Sequence, residues 1–220
     1  MPAADYSTKG GRYFSGARRL FVDDLPVNSN AKLLEVGCGN GDTAAYALAT
    51  KKCGWSAGIE LCEQPAIEAR SRLNQVLIGD VEQMELPFSA ENFDILIMSE
   101  VIEHLRDPWK TLKRLRGFLK PGAIILAGSP NVAHHSVLRM LVSGRWDYTD
   151  VGIMDMTHLR WFTPDTYRKL FEDCGYEVTK VAPAVPLRWK ARMVDALLLH
   201  RMTHLFHSQI YLQARYARPI

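Results

Sequence analysis

The sequence predicts an α/β fold in which a mainly parallel sheet is doubly wound by helices. Three observations carry this. Five short apolar runs between residues 32 and 127 are separated for the most part by helical patterns, the rhythm of strand–helix–strand units. The first run, Leu33-Leu34-Glu35-Val36, passes straight into Gly37-Cys38-Gly39-Asn40-Gly41-Asp42 and then into a helical stretch. The second and third runs end in acids, Glu60 and Asp80, on the edge where open sheets of this class bind ligands.

A chain of 220 residues fits one domain with attachments and can bury a sizeable core. Its formal net charge of +3 is too small to argue for nucleic acid, and it is unevenly placed. Residues 184–220 hold Arg188, Lys190, Arg192, Arg201, Arg215 and Arg218 against Asp195 alone. The cysteines at 38, 53, 62 and 174 form no C-x-x-C pair, and the first residues lack a charged-then-apolar leader. Both features point to a reducing cytoplasm. No apolar run nears the roughly 20 residues needed to span a bilayer.

In chain order, residues 1–30 are an attachment, polar and aromatic at Tyr6, Tyr13 and Phe14, with a helical stretch over 15–25 ended by Pro26. It is either a helix packed on the sheet or a lid whose tyrosines close over a ligand. The first strand spans 32–36. Three glycines in the next five residues let the backbone turn sharply and bring its amides to a ligand. A dinucleotide fingerprint would need its third glycine at position 42, where Asp42 stands, so the run is G-x-G-x-G. A helix follows over 43–50, then the second strand over 55–60. Its terminal Glu60 lies 19 residues past Gly41, where a doubly wound fold bonds a ribose diol with a carboxylate. That signal fits any adenosine-bearing cofactor. A helix over 62–73 leads to the third strand, 76–78, which ends Gly79-Asp80-Val81. The fourth strand, 93–98, is almost continuously apolar, as a central strand covered on both faces should be. Beyond it lie Ser99-Glu100-Val101-Ile102-Glu103-His104-Leu105, a helix over 109–119, a turn at Lys120-Pro121-Gly122 and a fifth strand over 123–127.

The G-x-G-x-G turn with Glu35 two places before it, Asp80-Val81 after the third strand, and the stretch 93–127 together resemble the class I S-adenosylmethionine-dependent methyltransferases. The resemblance covers about residues 32–178. It implies a Rossmann-like seven-stranded sheet of order 3-2-1-4-5-7-6 with strand 7 antiparallel. Thr163-Pro164 then caps a helix that ends near Gly175, residues 177–181 form the sixth strand, and residues 209–215 form the last. S-adenosyl-L-methionine is the implied cofactor. Its implied contacts are Glu35, Gly37, Cys38, Gly39, Gly41, Glu60, Leu61, Asp80, Val81 and Ser99. The whole chain reads as one methyltransferase domain, with the attachment at 1–30, an acceptor-side insert at about 129–163 and a helical insert at about 187–206.

That acceptor-side insert mixes aromatics with carboxylates, histidine and arginine, and resembles the insert of bacterial enzymes of polysaccharide and lipopolysaccharide assembly. The implied reaction is O-methylation of a sugar, glycan or related hydroxylated small molecule. A hydroxyl acceptor must lose its proton near neutral pH, and a histidine suits that task. His158 and then His134 are the candidates, with His135 last. Trp146, Tyr148, Trp161 and Phe162 either stack on a sugar while Asp147, Asp155 and Arg160 bond its hydroxyls, or belong to the core. Glu100 and His104 stand i, i+4, one face of a helix, but with no third ligand at supporting spacing no metal is expected. Trp189, Met193, Leu197 and Phe206 among Arg188, Arg192 and Arg201 form a basic apolar stripe, which is core, cap, dimer face or a peripheral membrane contact.

Other readings are a quinone or lipid-like acceptor, a nucleotide-sugar oxidoreductase or epimerase, and a non-catalytic cofactor-binding module. An oxidoreductase commonly needs Tyr-x-x-x-Lys on a helix, and Tyr176 with Lys180 falls on the sixth strand. The sequence leaves the oligomeric state and the acceptor atom open.

Overall fold

The computed structural model describes residues 9–187, 189–197 and 199–217. Tyr6, Arg188 and Arg218, named above, lie outside the described residues. Strands β1 (Lys32–Val36), β2 (Trp55–Glu60), β3 (Gln75–Ile78), β4 (Phe93–Ser99), β5 (Leu119–Pro130), β6 (Glu177–Pro183) and β7 (Gln209–Arg215) form one sheet. Its order is β3-β2-β1-β4-β5-β7-β6, and β7 runs antiparallel to both of its neighbours. Every other pairing is parallel. This is the order that the resemblance implies.

The continuous apolar runs of β1 and β4 have a simple cause. Successive side chains point to opposite faces of a strand, and here both faces are covered. Leu34, Leu96 and Met98 pack into one core layer, while Leu33, Ile95 and Ile97 pack into the other. Each such aliphatic side chain, taken fully out of water, contributes about 1.5–3 kcal/mol. One layer is closed by Leu112 and Leu115 of α4 (Pro108–Leu115) and by Tyr167, Leu170 and Phe171 of α6 (Pro164–Asp173). The other is closed by Phe21 and Val22 of α1 (Arg19–Asp23), Ala44 and Ala47 of α2 (Asp42–Ala49) and Ala69 of α3 (Glu63–Ala69). The acceptor-side segment carries α5 (His135–Val142), and α7 (Trp189–Leu197) precedes the last strand. Thr163 caps α6 with Thr166 as its reciprocal partner, and Pro164 opens the helix.

Local structure departs from the sequence reading at six places, one of them the helix expected over 109–119, which ends at Leu115 and gives way to a 3-10 turn at Arg116–Phe118 before β5. The helix expected over 15–25 is the five-residue α1 behind a 3-10 turn at Gly11–Phe14, because Gly16 breaks it at φ 104°. α3 ends at Ala69, so that Leu73 can pack against Gly41 and Gly58. Lys120-Pro121-Gly122 is a bulge inside β5 and not a turn before it: the register slips between Phe93 and Ile95, and Lys120 pairs with Asp94 at 2.8 Å. The stretch after β4 is no α-helix, since Glu100 sits at φ 56° and only Ile102–His104 form a 3-10 turn. The helical insert expected at about 187–206 breaks after α7, where Leu199 and His200 take φ 53° and 56°.

Candidate active site

The turn after β1 is fastened to the neighbouring strand. Gly37 and Cys38 both donate backbone N–H groups to the Ile59 carbonyl, at 2.8 and 3.2 Å. Gly37 and Gly39 take φ 69° and 52°, the left-handed region that glycine tolerates. Space also demands them. A Cβ on Gly37 would stand 2.3 Å from Val101 Cγ2, and one on Gly39 would stand 2.4 Å from the Phe14 carbonyl oxygen. Gly41, at φ 83°, precedes α2 and faces Ala69 and Leu73 of the α3 region at 3.2 Å. It serves helix packing and does not line the cavity.

Glu60 at the end of β2 accepts the Gly39 N–H on Oε2 at 2.8 Å and the Cys62 N–H on Oε1 at 2.9 Å. Burial raises its carboxyl above the ordinary range, and these amides work against that shift. Glu35 accepts the Ala44 N–H at 3.1 Å, and burial pushes its carboxyl up to about 8. Asp80 accepts the Glu82 N–H at 2.8 Å and the Gln83 side-chain amide at 2.7 Å.

These residues surround a cavity of about 510 Å³, within the range of small-ligand and cofactor sites. Cys38, Leu61, Val81 and Ser99 line it with them, so every nominated cofactor contact except Gly41 meets in one place. The donor set fits a nucleoside. Each Glu60 oxygen has one amide bond and a further lone pair for a ribose hydroxyl, and Asp80 stands at the next strand end for an amino group. Tyr13 and Phe14 line the same cavity. Phe14 accepts the Asn40 N–H at 3.1 Å, and Lys9 pairs with buried Asp155 at 2.5 Å. The described aromatics of the N-terminal attachment thus belong to the cavity lining.

The acceptor-side segment lines this cavity too. His158 donates Nδ1–H to the Ile153 carbonyl at 3.1 Å, and His104 donates Nδ1–H to the Thr157 carbonyl at 3.1 Å. Carbonyls only accept, so in each neutral ring Nε2 is the basic nitrogen. The rings stand edge to face, centroids 4.8 Å apart. Burial, then the charge of His158, pushes His104 down to about 4, and burial lowers His158 as well. Beside them Glu103 is 1% exposed, and neither carboxyl oxygen makes a hydrogen bond of full geometry. Burial first and the Glu100 charge second push it well above the carboxylate range. The Glu103 carbonyl accepts N–H groups from Leu159 and Arg160 at 2.8 and 3.0 Å, which ties the acceptor segment to the exit of β4.

His134 is elsewhere. Its Nδ1 accepts the Ser136 N–H at the start of α5, and its ring lies 4.1 Å from that of His135 beside a smaller cavity formed with Val185 and His207. Of the aromatics weighed for sugar contact, Phe162 is core, 5.3 Å from Tyr167, and Asp155 is held by Lys9 and Thr157. Trp146, Tyr148 and Trp161 form their own cluster, with Trp146 and Tyr148 exposed. Residues the sequence reading did not nominate are Tyr13, Phe14, Arg18 and Gln209 in the lining, and Glu103 with His104 beside His158. The Glu-x-x-Glu-His segment was visible, but its helical spacing paired Glu100 with His104, whereas the structure brings Glu103 beside that histidine.

A family profile described as a methyltransferase domain matches residues 11–181. The chain is 29% identical over 110 residues to the 27-O-demethylrifamycin SV methyltransferase of Amycolatopsis mediterranei (strain S699), covering 47% of this chain and 40% of that protein. It is 29% identical over 133 residues to a ubiquinone biosynthesis O-methyltransferase of Acinetobacter baylyi, covering 53% and 55%. The chain thus spans about half the length of these relatives. A solved S-adenosylmethionine-dependent methyltransferase from Archaeoglobus fulgidus shares the fold, with a TM-score of 0.66, 19% identity, and coverage of 96% of this chain and 100% of that one.

Proposed function

Because the chain belongs to the methyltransferase domain family, whose profile spans residues 11–181, we propose that it O-methylates a sugar, glycan unit or related hydroxylated small molecule. S-adenosyl-L-methionine, the cofactor that this family and fold imply, supplies a methyl group made electrophilic by its sulfonium. The observation that carries the reading is one cavity shared by two groups of residues. Glu60 and the glycine turn line the same cavity as His104 and His158.

Glu60 would hold the ribose hydroxyls and Asp80 the adenine amino group, while the amides of the glycine turn approach the cofactor chain. Tyr13 and Phe14, in the same lining, exclude water. The acceptor hydroxyl is presented to His158, whose imidazole is fixed by the Ile153 carbonyl. Alignment within about 3–3.5 Å of the reacting carbon can by itself supply several kcal/mol of barrier reduction. The Trp146–Trp161 pair, ring centroids 5.4 Å apart with Trp146 exposed and Trp161 partly buried, supports a ring-bearing acceptor that extends out of the cavity.

A second reading, a quinol or lipid-like acceptor, is favoured by the ubiquinone relative. Leu138, Leu141 and Val142 of α5 and Met193 and Leu197 of α7 are also exposed, which suits a membrane surface. No described helix is long and apolar enough to cross a membrane. The oxidoreductase reading loses its Tyr-x-x-x-Lys pair, since Tyr176 bonds the Leu112 carbonyl and Lys180 pairs with Asp24.

Incubation with methyl-labelled cofactor and parallel envelope-glycan precursor and demethylated quinol fractions tests the assignment. Label in the glycan fraction is expected, and label confined to the quinols moves the assignment to the second reading. Tight NAD binding with no binding of S-adenosylhomocysteine overturns both.

A further inference from the structure

We propose that Glu103, His104 and His158 bind a divalent cation at the lining of the cavity. One ligand atom from each residue lies within 4.8 Å of the other two. His104 and His158 line the cavity, and Glu103 is buried beside them.

Three observations converge on a cation. The first is the buried carboxyl: Glu103 is 1% exposed and neither oxygen makes a hydrogen bond of full geometry, the Ser129 hydroxyl beside it being the one side chain that favours its charged form by hydrogen bonding. Leaving such a group unpaired costs several kcal/mol, which native proteins avoid by pairing, protonation or coordination. The second is the orientation of the imidazoles. Each gives its Nδ1–H to a main-chain carbonyl, Thr157 for His104 and Ile153 for His158. Histidines that bind a metal commonly have their other nitrogen anchored in this way, which fixes the tautomer and leaves Nε2 as the donor. The third is strain at the entry to the segment. Glu100 is held at φ 56°, a region that costs a residue with a side chain, and it lines the cavity. Such outliers gather where a site must be shaped against local preference. The charged groups around the three ligands are mixed, Asp155 and Glu100 on one side and Lys9 and Arg18 on the other, so the donor set and not the net charge argues for a cation.

Two imidazoles and one carboxylate select the metal class. Mg²⁺ and Ca²⁺ prefer all-oxygen sites, whereas this donor set suits Mn²⁺, Fe²⁺, Co²⁺ or Zn²⁺. Ligand atoms about 2.1 Å from an ion lie about 3–4 Å from one another, so the three side chains draw in by about 1 Å on binding. Three protein ligands leave coordination positions open towards the cavity. An acceptor hydroxyl placed there would have its pKa lowered by the cation and would release its proton to water, so that His158, as a ligand, would position the hydroxyl through the ion and water would take the place of His158 as base. That use of the cation rests on the methyltransferase reading, but its binding does not.

The test begins with the full-length protein stripped with chelator and titrated with Co²⁺. A visible d–d absorption that saturates at one ion per chain is expected, with Mn²⁺ or Zn²⁺ displacing it and Mg²⁺ much weaker. Glu103→Gln and His158→Gln should each weaken Co²⁺ binding by about tenfold or more, with circular dichroism and S-adenosylhomocysteine binding retained. If the wild-type chain shows no saturable Co²⁺ spectrum, or if both variants fold and bind Co²⁺ as it does, the site is overturned. If a variant fails to fold, the wild-type titration decides alone, because intense d–d bands that saturate at one ion per chain require a site of low coordination number, which loosely held hydrated ions do not give. Calorimetry with S-adenosylhomocysteine on the same sample separates the two proposals. S-adenosylhomocysteine binding without cation binding removes only the metal, and the converse removes the methyltransferase reading.

Discussion

Gly39 donates its backbone N–H to Glu60 Oε2 at 2.8 Å, which joins the tip of the glycine turn to the end of the next strand as one unit. The Glu60 carboxylate therefore does two things: it stiffens the turn and keeps lone pairs for a ribose. Glu60→Ala should weaken S-adenosylhomocysteine binding by about 1.5–3 kcal/mol, the worth of charge-assisted hydrogen bonds. Calorimetry measures this, and an unchanged affinity would remove Glu60 from the cofactor site.

Gly39→Ala should act on the N-terminal segment. The new Cβ meets the Phe14 carbonyl at 2.4 Å, and the residue stands at φ 52°. Strain and displacement together should cost about 1–3 kcal/mol of stability. Cleavage by trypsin after Arg18 or Arg19 should quicken, because Phe14 would lose its place against the turn. Equal cleavage rates in both proteins would show that the segment is not held by this contact.

His158→Ala and His134→Ala should separate sharply. The first removes a side chain of the cavity wall and should lower kcat by roughly 10²- to 10⁴-fold, with S-adenosylhomocysteine affinity nearly intact. The second removes a cap from α5 and should cost about 1 kcal/mol of stability with little change in kcat. Steady-state kinetics and urea unfolding on both variants check this. A large kcat loss at His134 would place the acceptor at the smaller cavity.

Glu35 should make stability depend on pH. Its carboxyl is raised by burial to about 8 in the folded chain, against 4.5 as a reference for the unfolded one. A raised folded value means the unfolded state loses its proton first. The contribution is therefore fully present below about pH 4.5 and is lost as pH rises through about 8. Over that window stability should fall by at most about 1.4 kcal/mol per pH unit from this group. Glu35→Gln, which can still accept the Ala44 N–H, should flatten the slope in urea unfolding measured from pH 5 to 8. A wild-type slope that survives the substitution would belong to another group.

By itself, the sequence determined the strand framework and the cofactor contacts of the cavity. Those signals are local: apolar runs of strand length, a turn that only glycines can make, and acids at the ends of two strands. Once parallel strands pair in register, Glu60 and Asp80 must emerge on the same edge as Gly37 and Gly39, so spacing along the chain becomes position in space. Tertiary structure alone decided the rest. Gly41 reads as a member of the ligand turn, yet its neighbours are Ala69 and Leu73, chosen by where α3 packs. Helical spacing pairs Glu100 with His104, but Glu100 takes a left-handed φ, and one such residue redirects every side chain after it. His158 and His134 are indistinguishable as histidines in one insert. The Glu103 carbonyl, bonded to the Leu159 and Arg160 amides, draws the first to the cavity, while the second is spent capping a helix. Periodicity cannot encode a contact that depends on one dihedral angle and on two amides more than fifty residues away.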